Sequence, residues 1–157
     1  MTDNLPALFE TIIRKAADAI VYADADGAIR FWNAAAERIF GYAATEAIGQ
    51  SLDIIIPEKL RGRHWEGYRR VMQTGQSRYG AGDLLAVPAQ RKDGTRISVE
   101  FTIVPVHDGG GQMLGMAAIL RDVTKRFNET KVLKERLAAT KPAAQQFAVS
   151  STDEQKK

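Results

Sequence analysis

The stretch from Lys92 to Gly111 constrains this chain more than any other. Lys92-Asp93-Gly94 is a hairpin turn signal, and Asp108-Gly109-Gly110-Gly111 is a second one. Between them Thr95 to Val104 alternates, with Ile97, Val99, Phe101 and Ile103 on one face and Arg96, Ser98, Glu100 and Thr102 on the other. A half-buried strand flanked by two tight turns pairs antiparallel with both neighbours. The strand before it, Asp83 to Ala89, carries Pro88, which suits a sheet edge or a bulge. The strand after it runs from Met113 to Val123.

A second hairpin lies upstream. Ala19 to Ala23 reads as a strand, Asp24-Ala25-Asp26-Gly27 as its turn, and Ile29 to Trp32 as the returning strand. Asn33 then caps a helix over Ala34 to Glu37, Glu37 lies near a capping-box position, and Gly41 ends the helix. Thr45 to Gly49 is a short turn or helix leading into the apolar run Ile54-Ile55-Ile56. Pro57 opens a short helical piece through Leu60, and a further helix spans Arg63 to Gln73, stopping at Gly75. On it His64, Tyr68, Val71 and Met72 share one side, so His64 points inward with apolar neighbours. These elements predict an α+β domain whose five-stranded antiparallel sheet carries short helices on one face. A ligand pocket fits between the sheet and the helices.

The ends differ from this centre. Leu5, Leu8, Phe9, Ile12, Ile13 and Ala16 make one apolar stripe, capped by Asp3 or Asn4, in an N-terminal amphipathic helix within residues 1–17. The domain proper occupies residues 18–124. A charged helix with Phe127, Leu133 and Leu137 covers residues 125–140, with Pro142 closing it. Residues 141–157 are polar and read as a disordered tail.

Composition limits the function. The chain of 157 residues has no cysteine and carries a formal net charge of +3. Disulfides, thiolate ligands and cysteine nucleophiles are excluded, which fits a cytoplasmic protein. No apolar run approaches the ~20 residues of a membrane span. Neither a phosphate loop nor a nucleophile–base pair stands out, so an enzyme is not expected. The basic cluster Arg61, Arg63, Arg69, Arg70 and Arg78 is short for nucleic acid. It fits a solvated face, an anionic cofactor group or an acidic partner. His107, beside its glycine turn, reads as solvated, and Trp32 and Trp65 read as packing residues. Met113 and Met116 read as core.

Four blocks together resemble a PAS domain over roughly Ala7 to Phe127: Gly27 through Tyr42, Glu46 through Leu52, Arg91-Lys92-Asp93-Gly94-Thr95, and Arg121-Asp122-Val123-Thr124. The resemblance implies a sensor fold with flanking helices and a ligand pocket. Within that family the chain is most similar to haem-binding sensors of the FixL type, through Pro57, Glu58, Arg63 and His64. It implies haem b with His64 as proximal iron ligand. Arg70 and Arg78 are expected near the propionates, and Leu85, Phe101, Ile103 and Leu120 along an apolar distal wall. Oxygen-sensing relatives place an arginine where this chain has Leu84 or Leu85. That departure removes a charge-assisted hydrogen bond and shifts the expectation from O₂ toward CO, NO, redox state or haem level. Asp122 is expected to make a structural ion pair or hydrogen bond.

The implied partners are a diatomic gas, a second copy joined through the terminal helices, and an output in a separate protein or elsewhere in a longer chain. The alternative is a haem-free PAS module for dimerisation or protein interaction, holding another small apolar ligand or none. A light-sensing flavin domain of this fold needs an adduct-forming cysteine, which this chain lacks.

Overall fold

The computed structural model describes residues 4–78 and 84–150. The chain divides into two compact units, one ending at Val123 and one beginning at Thr124.

In the first unit, α1 (Leu5–Lys15) precedes β1 (Ala19–Asp24) and β2 (Ile29–Trp32). Helices α2 (Ala34–Phe40) and α3 (Ala44–Ala47) follow, then a 3-10 turn over Leu52–Ile54 and the long α4 (Glu58–Thr74). β3 (Leu85–Gln90), β4 (Arg96–His107) and β5 (Met113–Asp122) complete an antiparallel sheet of order β2-β1-β5-β4-β3. The expected α+β class and five-stranded sheet are thus present. Pro88 sits on the edge strand β3, where a missing N–H costs least. Asp83, the first residue of the predicted third strand, lies outside the described residues.

Asn33 explains how the first half is assembled. It is buried, and its side-chain oxygen accepts from Ala36 N and Ile20 N, each at 3.0 Å. Its amide nitrogen donates to the carbonyls of Ile13 and Asp18, again at 3.0 Å. The predicted cap therefore also ties α1 and the strand entry to α2. Gly41 takes φ +81° and closes α2 onto the Glu37 carbonyl. Glu37 completes no capping box; its carboxylate accepts from Ala44 N at 2.6 Å. Asn4 occupies the α1 cap without a side-chain bond, since its φ −119° and ψ 11° are not the extended geometry a cap uses. Asp3 lies outside the described residues.

Two helix boundaries differ from the sequence reading. A single helix, α4, replaces the two pieces expected on either side of Gly62. Glycine inside a helix costs about 1 kcal/mol against alanine. Anchors around it offset that cost: Arg61 Nε donates to Ile56 O and Arg61 Nη2 to Asp53 O, both at 3.1 Å. In the second unit, α5 runs from Thr124 to Ser150, so the helix does not stop at 140 and Pro142 does not close it. The proline removes one N–H and crowds one turn. Ala143, Ala144, Gln145 and Gln146 beyond it are good helix formers, and the helix continues through them. Of the expected tail, residues 151–157 lie outside the described residues.

The core lies between the sheet and helices α2 and α3. Phe40, Ile29, Trp32, Ala35, Ala47, Ile97, Val99 and Leu120 are buried together there. Full burial of each large apolar side chain is worth ~2 kcal/mol. The register aligns Leu85 with Phe101, Phe101 with Leu120, and Leu120 with Ala19, one row across four strands. Ala19 and Leu120 are buried, whereas Phe101 and Leu85 are only half-buried. Cover over this face thus thins toward β3 and leaves apolar surface partly open.

Candidate functional site

The residues singled out by sequence fall into three groups: one on α4, one on the thinly covered sheet face, and one at the surface. His64 stands in the second turn of α4. Its ring is half-buried, edge-on to Trp65 with centroids 4.8 Å apart, and tilted against Tyr68 at 5.8 Å. Its Nδ1 is buried and has no hydrogen-bond partner among the described residues. Burial lowers the imidazole's affinity for a proton, and the Asp53 carboxylate works against that only in part. The ring is therefore held neutral at pH 7, the form that donates a lone pair to a metal.

Two side chains anchor this part of α4. The Tyr68 hydroxyl lies 2.6 Å from the Asp24 carbonyl and 3.1 Å from that of Ala23. Its burial pushes the phenol's pKa far up, so it stays a donor at all working pH values. Trp65 donates its indole N–H to Asp53 Oδ1 at 2.8 Å. As expected, both tryptophans pack: Trp32 lies in the core and donates to Tyr42 O at 3.0 Å.

On the sheet, Leu85, Phe101 and Leu120 share one row, and Ile103 lies in the next row with Ala118 and Val21. These four apolar residues therefore lie on one sheet face. Leu84 precedes β3 and is 60% exposed, so Leu85 and not Leu84 belongs to that face. The two arginines lie outside it. Arg70 is exposed and pairs with Glu66 at 3.2 Å along its own helix, and Arg78 is exposed beyond the helix end. His107 is exposed, as expected. Asp122 pairs with Arg91 at 2.8 Å, the structural ion pair anticipated for it.

Sequence reasoning missed Asp53 and the use of Gly27. Asp53 sits in an apolar run, and nothing in its spacing links it to Trp65. Gly27 was legible as a turn glycine, but its contact with Trp65 was not.

Among the described residues, no three of His, Cys, Asp and Glu gather as a cation site. His64 therefore belongs to no larger cation cluster there, and one imidazole is what a porphyrin iron, already holding four ring nitrogens, takes from a protein on one side. A neutral imidazole with an unpartnered buried nitrogen, and a partly open apolar face in the same unit, fit that group.

A match to the PAS fold covers residues 7–123. The chain belongs to the PAS fold family. It is 39% identical over 124 residues to an uncharacterised protein of Azorhizobium caulinodans, covering 78% of this chain and 16% of that protein. It is 31% identical over 125 residues to the sensor protein FixL of Bradyrhizobium diazoefficiens, covering 80% of this chain and 24% of FixL. Against the oxygen sensor protein DosP of Escherichia coli it is 29% identical over 111 residues, covering 71% and 14%. The chain spans a quarter or less of each of these relatives. The crystal structure of a PAS domain from Colwellia psychrerythraea superposes with a TM-score of 0.67 at 25% identity, covering 77% of this chain and 98% of that one.

Proposed function

We propose that this PAS domain is a haem-based sensor in which His64 ligates the iron. The observation that carries the reading is the buried, unpartnered imidazole nitrogen on α4, kept neutral by burial. The sequence resemblance to haem-binding FixL-type sensors points to the same residue. Bound haem b would supply an iron able to take a diatomic gas or change redox state. Leu85, Phe101, Ile103 and Leu120 would give it an apolar wall. Arg70 and Arg78 would meet the propionates; Arg70 would leave an exposed pair with Glu66, whose loss costs less than about 1 kcal/mol.

No donor side chain stands at Leu84 or Leu85, which favours CO, NO or a redox signal over O₂. A changed load on His64 would bias the packing of α4 and the populations of two domain arrangements. The role is sensory and not enzymatic, in the cytoplasm, with output in a separate protein or another part of a longer chain.

The test is an absorption spectrum of protein reconstituted with hemin, then reduced and exposed to CO. A Soret band that His64→Ala abolishes or displaces supports the reading. Protein that stays colourless after reconstitution overturns it.

A second reading rests on α1. Leu5, Leu8, Phe9, Ile12 and Ile13 are all exposed, and α1 buries no residue. A haem-free module that pairs with a second copy through this stripe would account for it. Monomeric behaviour at high concentration by X-ray scattering counts against that reading.

A further inference from the structure

Trp65 does more than fill space beside His64. Its indole lies over Gly27 so closely that a Cβ at that glycine would fall 2.2 Å from Cη2 and 2.3 Å from Cζ3. Gly27 also has φ +80°, so both its backbone and its missing side chain are used. The other end of the indole is held by the hydrogen bond to Asp53. These two supports are themselves joined, because Leu52 N donates to Gly27 O at 3.1 Å. Asp53 is fixed in turn: its N–H donates to Ser51 Oγ at 3.2 Å, and its carbonyl accepts from Arg61. The result is a platform of turn and 3-10 segment on which one residue of α4 is seated.

We infer that Trp65 is the positioning residue for His64. A helix pinned at one side chain cannot rotate about its axis at the adjacent position. The imidazole, which has no hydrogen bond of its own at Nδ1, takes its direction from that pin and from the flanking rings of Trp65 and Tyr68. A ligand nitrogen oriented by neighbouring groups binds its metal more tightly than a free rotor does. The inference rests on the reading of His64 as iron ligand, and its consequence for the imidazole itself is separable from that reading.

The experiment uses the full chain with Gly27→Ala, Trp65→Ala and Asp53→Asn. In haem-free protein, three-bond couplings across χ1 of His64, measured by NMR, should report one rotamer in the unaltered chain. They should report an average in Gly27→Ala and Trp65→Ala. Asp53→Asn keeps an oxygen acceptor for the indole and should retain the single rotamer, which separates the seat from the Asp53 charge. Hemin titration should show about 10-fold weaker binding in the two disrupting variants, and their ferrous Fe–His stretch in resonance Raman should move and broaden. A single rotamer persisting in folded Gly27→Ala and Trp65→Ala overturns the inference. Absence of hemin binding in the unaltered chain would overturn the haem reading alone, with the couplings still deciding the role of Trp65.

Discussion

Tyr68 on α4 places its hydroxyl 2.6 Å from the carbonyl of Asp24, at the far end of β1. This contact joins the helix that carries His64 to the hairpin that carries Gly27. The hydroxyl is a single donor facing two carbonyls in a buried setting. Tyr68→Phe keeps the ring and removes the donor. It should cost about 1–2 kcal/mol in urea denaturation, with the fold retained. An unchanged midpoint would show that the hydroxyl is dispensable.

The pH dependence of the haem-free domain should carry the mark of His64. Burial sets its folded pKa below the ordinary imidazole value of 6.5, so the unfolded chain binds the proton first. Stability is then complete above 6.5 and declines as pH falls from there toward the folded pKa. His64→Phe removes this loss. Urea midpoints at pH 7 and pH 5.5 should therefore draw closer in the variant than in the unaltered chain. Equal pH slopes in both would show that the ring is not held neutral.

Much of the fold was legible because its signals are local. Alternation over Thr95 to Val104, the two glycine turns around it, and Asn33 before its helix each act within a few residues. The continuity of α4 through Gly62 is not a local signal, because its support by Arg61 depends on carbonyls brought near by folding. The end of α5 depends on a different balance: Pro142 is a local stop signal, and the helix formers directly beyond it outweigh it. The position of His64 on a helix and the alternation that puts Phe101 and Ile103 on one sheet face are also local signals. The seat of Trp65 on Gly27 and Asp53 is not one, since it is a meeting in space of segments with no shared period.

Asn33 should be the costliest single polar truncation in the domain. All four of its side-chain hydrogen bonds are made, at full burial. Asn33→Ala strands two backbone N–H groups and two carbonyls at once. A loss of about 3 kcal/mol is expected in chemical denaturation, more than a helix cap alone supplies. Asn33→Asp should not rescue it, because a carboxylate then faces the carbonyls of Ile13 and Asp18. Rescue by aspartate would show that only the cap matters.

The exposed stripe on α1 offers a direct test of self-association. Phe9 and Ile12 are 57% and 55% exposed on a helix with no buried residue, so Phe9→Glu with Ile12→Glu should leave the melting temperature of the domain within a few degrees. If the stripe covers a second copy, sedimentation should shift from dimer toward monomer. An unchanged distribution would assign the stripe to another occupant or to none.

The proposed haem site makes a sharp prediction about selectivity. Leu85 lies in the row with Phe101 and Leu120, whereas Leu84 precedes the strand and is exposed. Leu85→Arg would place a cationic donor on the apolar face, and Leu84→Arg would place the same group outside it. A donor aimed at a polar bound gas is worth about 1.5–3 kcal/mol, while CO gains little from it. In reconstituted protein, Leu85→Arg should therefore raise O₂ affinity relative to CO about 10-fold, and Leu84→Arg should leave the ratio near that of the unaltered chain. The ratio is read from gas titrations followed by absorption. If Leu84→Arg shifts it and Leu85→Arg does not, the row through Leu85 is not the wall of the gas site.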